Sequence, residues 1–275
     1  MLSRLGISYQ RGRDYIHSPD PDYVEKLAYR DALIERVRTA AERAEQREAV
    51  LFLDEFTYYR HPTLAREWAE RHGDPSAGVL ARRSPHSNTT TRVAATLDLV
   101  NARVCRWQGS RFGIRQLVTF YREVRAAYPE AERLWVVQDN WPVHFHPDVL
   151  CALEEQVYPF ERRLPPDWPS EPSRKAVVRW GNWRLPVQVV TLPTYASWLN
   201  PIEKLWRLLK QRVLHLHRLA ARLPELRQMV QAFLDNFAGG SVQLLQYVGL
   251  TPGGDSGQAD DPSVIPRRIE TLFAA

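Results

Sequence analysis

Residues 192–206 read Leu192-Pro-Thr-Tyr-Ala-Ser-Trp-Leu-Asn-Pro-Ile-Glu-Lys-Leu-Trp206, and this order predicts a strand end, a loop and a helix start. Asn200 is a good N-cap, Pro201 suits the first helical position, and Glu203 lies three residues after the cap. Two roles are open to Glu203. It closes a capping box by bonding back to the backbone, or it points from the first helical turn into the crevice at the end of a sheet.

Two upstream segments end an apolar strand with an acidic residue: Val50-Leu-Phe-Leu-Asp54-Glu55 and Leu134-Trp-Val-Val-Gln-Asp139-Asn140. If these strands are parallel neighbours, Asp54 and Asp139 project into one crevice, because open α/β sheets bind ligands outside the carboxyl ends of their strands. Paired carboxylates without thiolates suit a hard cation, Mg²⁺ or Mn²⁺. The alternative for each aspartate is structural, since aspartate often ends a strand and starts a turn.

The remaining hydrophobic pattern predicts a mixed α/β sheet with helices packed against it. Strands are predicted at residues 49–53, 92–100, 102–107, 134–137 and 187–192, and helices at residues 23–48, 113–127, 147–158, 201 onward and 224–237. Residues 159–185 contain five prolines and three tryptophans, which indicates an inserted segment. Residues 251–263 have almost no apolar content, which predicts a flexible tail.

The composition limits the class of protein. With 44% hydrophobic and 25% charged residues, the chain is typical of a soluble globular protein. No apolar run approaches the roughly 18–20 residues that cross a bilayer, and the first residues lack the apolar region of a secretory signal. The two cysteines, Cys105 and Cys151, exclude a disulfide framework and a Cys-x-x-Cys zinc module. A reducing cytoplasm is the expected location.

Positive charge is concentrated in one part of the chain. The net charge of the whole chain is +5, whereas residues 156–222 alone hold twelve Lys and Arg against four acidic residues. Clustered positive charge is typical of a polyanion partner, usually nucleic acid. The alternative is a solvated basic face with no partner.

Three motifs are shared with one family: Asp54-Glu55, Asp139-Asn140 followed by His144, and Asn200-Pro-Ile-Glu203-Lys-Leu-Trp206. Together they resemble the DDE transposases, and more narrowly the bacterial insertion-sequence branch of the mariner superfamily. The resemblance covers about residues 1–240. It implies a ribonuclease-H-like fold in which Asp54, Asp139 and Glu203 are the catalytic residues. These three would hold two Mg²⁺ (or Mn²⁺) ions for DNA strand cleavage and joining.

Further roles follow from the same resemblance and from residue type. Supporting roles are expected for Glu55, Asn140, His144 and Asn200, and DNA contacts for Trp198, Lys204, Arg207 and Lys210. Glu55 alternates to the other strand face from Asp54, and His144 either reaches the substrate phosphate or the metal, or caps the following helix. Trp206 has the helical spacing of a core residue.

The expected partners are double-stranded DNA at the element ends and target, a second copy of the chain on DNA, and an upstream helix-turn-helix polypeptide. No association with a membrane is expected. A bacterial, nucleoid-associated location in the cytoplasm is expected.

The chain departs from the family at two places. The interval from Asp139 to Glu203 is longer than usual in this branch, which the insertion at residues 159–185 explains. At the start, Leu2–Arg13 resembles only the tail of a recognition helix. We therefore expect a helix-turn-helix remnant and linker at residues 1–21, a catalytic domain at residues 22–250 and a flexible tail at residues 251–275. The chain would be a fragment, or the downstream half of a split frame.

Other functions remain open on the residues alone. The chain could be a catalytically idle, element-derived DNA-binding remnant, or a general ribonuclease-H-like nuclease. His144-Phe-His146-Pro-Asp148 could bind zinc, although a catalytic zinc site normally has three protein ligands. Hydrolase, kinase and dinucleotide-binding functions are disfavoured, because Gly-x-Ser-x-Gly, the Walker loop and Gly-x-Gly-x-x-Gly are missing from the sequence.

Overall fold

The computed structural model describes residues 18–66, 79–161 and 164–251. Most of the predicted helix-turn-helix remnant (residues 1–17) and the predicted flexible tail from residue 252 lie outside the described residues. The described strands are β1 (Glu48–Tyr59), β2 (Thr90–Asp98), β3 (Val104–Gly109), β4 (Arg133–Gln138) and β5 (Val187–Thr191). They form one sheet in the order β3-β2-β1-β4-β5, which confirms the predicted mixed α/β class.

β1 lies at the centre of the sheet and changes partners along its length. It pairs antiparallel with β2 from Leu51 to Tyr59, and parallel with β4 only as far as Phe52. β4 in turn pairs parallel with β5. The part of β1 that pairs with β4 therefore ends at the same edge as β4 and β5. β1 itself continues to Tyr59 beside β2, beyond the strand end predicted at residue 53. Asp54 lies just beyond the last residue of β1 that pairs with β4, so β4 does not cover that position.

Seven α-helices pack around the sheet within the described residues. They are α1 (Tyr23–Glu42), α2 (Ile114–Ala127), α3 (Pro147–Leu150), α4 (Arg174–Trp180), α5 (Ile202–Leu209), α6 (Leu223–Asp235) and α7 (Val242–Val248). A π-helical turn, Lys210–Leu214, continues α5. No helix within the described residues is long and apolar enough to cross a membrane.

The two faces of the sheet bury two separate hydrophobic clusters. Val50 and Phe52 of β1 belong to the cluster that includes α1, α5, α6 and α7. Leu51 and Leu53 point the opposite way, into the cluster formed with α2, α3 and α4. This alternation follows from the two-residue period of a strand. It puts Asp54 on the α5 face and Glu55 on the α2 face.

The prediction of a helix over residues 147–158 is wrong, because α3 ends at Leu150. Beyond it, Leu153 forms a bridge with Leu185, and the Glu154 N–H donates to the Leu185 carbonyl over 2.9 Å. The Val157 N–H donates to Oε1 of Gln188 over 2.8 Å. These long-range bonds hold the chain extended beside β5, so the helical pattern is overridden. The predicted insertion also contains α4, which the sequence pattern did not indicate.

A buried ion pair fixes the start of the described chain. Lys26 Nζ lies 2.9 Å from Asp20 Oδ2, and their side chains are only 6% and 2% exposed. The Thr194 N–H donates to the same carboxylate over 2.8 Å, and Ser18 Oγ donates to the Thr194 carbonyl over 2.6 Å. We call Ser18, Asp20, Lys26 and Thr194 the N-terminal anchor. It ties the residues before α1 to the loop that follows β5.

Candidate active site

A cleft of about 630 Å³ opens beside Asp54 of β1, at the edge where β4 and β5 end. Asp54, Asp139 and Glu203 all line it, although they come from three distant parts of the chain. The loop at residues 192–197 and Asn200 complete much of its wall. The structure thus brings together the three carboxylates that the motifs singled out.

Asp54 is the most buried of the three carboxylates, and its environment is strongly negative. Its pKa is raised to about 8, by burial first and then by the charges of Glu203, Glu55 and Asp139. The hydrogen bond from Trp206 acts in the opposite direction, with Nε1 of the indole 2.7 Å from Asp54 Oδ2. A proton or a cation in the cleft would relieve this accumulation of negative charge.

Glu203 lies on the first turn of α5 and does not close a capping box. The start of α5 has no side-chain cap, and the Asn200 side chain instead donates from Nδ2 to the Leu53 carbonyl over 3.0 Å. The structure therefore leaves the Glu203 carboxylate facing the cleft. Partial burial raises its pKa, the positive charge of Lys210 opposes the rise, and the negative charge of Asp139 adds to it.

His144 lies between two carboxylates and is completely buried. Its Nε2 is 3.1 Å from Glu55 Oε1, and its Nδ1 is 3.4 Å from Asp139 Oδ1. Burial lowers the pKa of His144, but the Glu55 and Asp139 charges and bonds outweigh it, so the pKa lies above its usual value. Within the described ranges, Glu55, Asp139 and His144 are also the one group whose ligand atoms, all within 4.8 Å of one another, could hold a metal ion.

The zinc site considered for His144, His146 and Asp148 is not formed. His146 caps α3 by accepting from the Asp148 N–H over 3.1 Å, so the capping role belongs to His146 and not to His144. The Asp148 carboxylate accepts from Ser173 at the start of α4. Both side chains are therefore engaged away from His144.

A comparison with models of protein families identifies the superfamily of the chain. A family model described as DDE superfamily endonuclease matches residues 49–227, about two thirds of the chain, and includes all three cleft carboxylates. The chain belongs to the DDE superfamily. The DDE part of the resemblance drawn from the motifs is thereby confirmed.

Several known proteins are similar to this DDE chain. The "Insertion element IS630 uncharacterized 39 kDa protein" of Shigella sonnei is 20% identical over 242 residues, which are 87% of this chain and 59% of that protein. The crystal structure of the mariner Mos1 paired end complex with Mg is 14% identical, with a TM-score of 0.50, over 87% of this chain and 64% of that chain. The Mos1 transposase paired-end complex with left transposon end is 16% identical, with a TM-score of 0.48, over 88% of this chain and 62% of that chain.

These comparisons bear on fold and on length. The likeness to the Mos1 complex with Mg shows that the DDE chain has the ribonuclease-H-like fold expected from the motifs. The DDE chain spans about three fifths of the length of the relatives it matches.

Two asparagines of the DDE chain line the cleft. The Asn140 Nδ2 donates to the Leu192 carbonyl, which joins the segment after β4 to the segment after β5. Asn200 is buried, and its Oδ1 has no hydrogen-bond partner among the described residues. An unsatisfied buried oxygen costs free energy, so this atom favours a ligand in the cleft.

The aromatic residues near the cleft divide into two kinds. Trp206 belongs to the core, as its helical spacing predicted, and is stacked on Phe56. Trp198 is 49% exposed and Tyr195 is 75% exposed, and Tyr195 lines the cleft in a left-handed backbone conformation with φ of 57°. Sequence reasoning missed Tyr195. Its position in the loop between a strand and a helix start was the available signal.

The basic residues expected to contact DNA lie on α5 and just beyond it. Arg207 and Lys210 are exposed, and Lys204 is partly exposed. Lys210 Nζ lies 5.1 Å from the centre of the Phe56 ring. Its charge also opposes the rise in the Glu203 pKa, which places a cation near the candidate active site.

Proposed function

We propose that the chain is the catalytic part of a transposase of the bacterial insertion-sequence branch of the mariner superfamily. It cleaves and joins DNA strands at element ends, by phosphodiester hydrolysis and transesterification, with Asp54, Asp139 and Glu203 as the catalytic residues. The observation that carries this proposal is the convergence of these three carboxylates in one cleft. The match to the DDE superfamily supports it.

The residues of the cleft fit divalent metal ions. The donor set consists of carboxylate oxygens without a thiolate, which suits Mg²⁺ or Mn²⁺. The raised pKa of Asp54 reflects negative charge that no Lys or Arg offsets among its described influences, and the unsatisfied Oδ1 of Asn200 offers a further oxygen. Asp54, Asp139 and Glu203 would hold two ions. When bound, such ions activate the attacking oxygen and stabilise the leaving oxygen of an in-line displacement at phosphorus.

The other residues act on the carboxylates and on the substrate. Glu55 fixes His144, and His144 in turn fixes Asp139, because one imidazole spans both carboxylates. Asn140 and Asn200 hold the segments that carry the cleft together. This arrangement keeps the acidic groups in place without a covalent protein nucleophile, as phosphoryl transfer by positioning and electrostatics requires.

The substrate in this proposal is double-stranded DNA. The twelve Lys and Arg of residues 156–222 supply attraction for phosphates. Lys204, Arg207 and Lys210 would contact the backbone near the cleft, and exposed Trp198 and Tyr195 would stack on bases. We further propose that the chain acts as a homodimer on DNA, with an upstream helix-turn-helix polypeptide, at the nucleoid in the bacterial cytoplasm.

The test is metal-dependent nicking of supercoiled DNA by the chain together with any upstream helix-turn-helix polypeptide. Asp139→Asn keeps the shape of the side chain and removes its charge, so nicking with Mn²⁺ or Mg²⁺ should be lost while the circular dichroism spectrum is retained. Glu130→Gln, which removes an exposed carboxylate before β4, is the matched control and should nick like the wild type.

Mn²⁺ binding, measured by the electron paramagnetic resonance signal of the free ion, gives a readout that does not depend on DNA. Binding by the wild type and weaker binding by Asp139→Asn would support the metal site. A wild-type chain that binds DNA but neither binds Mn²⁺ nor nicks would be the idle remnant. Wild-type nicking by Asp139→Asn would overturn the assignment of the site.

A further inference from the structure

Two hydrogen bonds join the segment Asn200–Trp206, which begins before α5 and continues into it, to adjacent residues of β1. The Asn200 Nδ2 donates to the Leu53 carbonyl over 3.0 Å, and the Trp206 Nε1 donates to Asp54 Oδ2 over 2.7 Å. Asn200 precedes Glu203 by three residues, and Trp206 follows it by three. The motif that carries one cleft carboxylate therefore also touches the strand that carries another.

The Trp206 ring has little freedom to move. It is 2% exposed, and it is stacked on Phe56 with ring centres 5.4 Å apart and planes inclined by 16°. Lys210 Nζ lies over the same Phe56 ring. Because an indole N–H is a single donor in the plane of its ring, fixing the ring fixes the direction of the N–H.

We propose that Trp206 is a positioning residue for Asp54. Its N–H engages Oδ2, which sets the orientation of the carboxylate and leaves Oδ1 for a divalent cation. This inference rests on the proposed function, in which Asp54 is a metal ligand. Groups that orient a metal ligand in this way typically change metal affinity or activity by about 10- to 100-fold when they are replaced.

A merely structural tryptophan would not need this bond, and the chain offers one for comparison. Trp135 in β4 is 4% exposed, and its Nε1 has no hydrogen-bond partner among the described residues. Trp206→Phe and Trp135→Phe remove the same atoms from two buried sites. Only the first removes a donor from a cleft carboxylate.

The experiment measures Mn²⁺ affinity of the full chain by electron paramagnetic resonance, with urea denaturation to confirm that each variant folds. Trp206→Phe should bind Mn²⁺ about 10- to 100-fold more weakly than the wild type, and Trp135→Phe should bind as the wild type does. Equal affinity in folded Trp206→Phe and wild type would overturn the inference and leave the proposed function intact. A wild type that does not bind Mn²⁺ would instead refute the proposed function, and this inference with it.

A second measurement keeps the inference testable if Trp206→Phe does not fold. In the ¹H–¹⁵N spectrum, the indole resonance of Trp206 should move when Asp54 is changed to Asn and when Mg²⁺ is added. The Trp135 indole resonance should stay in place under both changes. A Trp206 resonance that responds to neither change would overturn the inference.

Discussion

Without metal, the titration of Asp54 should contribute a loss of stability to the folded chain as the pH rises from about 4 to about 8. Asp54 has a pKa of about 8 in the folded chain, against 3.8 for an ordinary aspartate. Between these two values the folded chain holds a proton that the unfolded chain has released, so stability falls with rising pH. Each pH unit costs about 1.4 kcal/mol, and the whole interval about 6 kcal/mol.

Asp54→Asn removes this dependence and keeps an oxygen that accepts the Trp206 N–H. The free energy of unfolding of the variant, relative to the wild type, should therefore increase by about 1.4 kcal/mol per pH unit up to about pH 8 and then level off. Urea denaturation with a chelator present, followed by circular dichroism at several pH values between about 5 and about 9, measures both curves. Glu130→Gln is the control and should run parallel to the wild type.

The second part of this experiment repeats the denaturation with divalent metal in place of the chelator. A cation in the cleft takes the place of the proton, so Mg²⁺ or Mn²⁺ should flatten the wild-type curve near pH 8 and should have little effect on Asp54→Asn. The reasoning is refuted if the Asp54→Asn and wild-type curves are parallel with chelator present, because the Asp54 proton would then contribute nothing to the difference in stability.

Three further predictions follow from the same contacts. Glu203→Gln should abolish metal-dependent nicking yet change the free energy of unfolding by less than about 0.5 kcal/mol, because the side chain caps no helix; wild-type nicking would contradict its role. Lys26→Met should cost about 3–5 kcal/mol in urea denaturation, because it leaves the Asp20 charge buried and unpaired. Adding Asp20→Asn to that variant should recover much of the loss. A Lys26→Met variant with the wild-type free energy of unfolding would argue against the buried pair. Lys210→Gln should lower the salt dependence of DNA binding by about one unit of slope, and an unchanged slope would exclude Lys210 from the phosphate contacts.

The part of the fold predicted from the sequence is the part specified by local patterns. The apolar runs that end in Asp54 and Asp139 are confirmed as neighbouring parallel strands. Five consecutive residues of β1 are buried, which is typical of a strand that is covered on both faces and not of an element with one exposed face. The three acidic residues of the motifs do line one cleft. Their assignment as metal ligands stays a prediction that the experiments above test.

The features that were missed depend on contacts between distant residues. The helix predicted after Pro147 stops at Leu150, because the chain at Leu153 and Val157 is bonded through its backbone to residues in or next to β5. The hydrophobic pattern of residues 147–158 does not indicate these long-range bonds. Of the two roles open for Glu203, the capping box is not formed. The Asn200 Nδ2 donates to the Leu53 carbonyl of β1, and its Oδ1, the atom that would accept a capping bond, has no partner among the described residues.

The N-terminal anchor also determines how late during synthesis the buried ion pair can form. Asp20 and Thr194 are separated by 174 residues, and closing so long a loop costs conformational entropy before any contact is gained. A chain emerging from the ribosome therefore keeps Lys26 and Asp20 in water until β5 and the loop after it have been synthesised. Since that loop lines the cleft, burial of the ion pair and completion of the cleft wall are one late event. A nascent chain that stops before Thr194 lacks both.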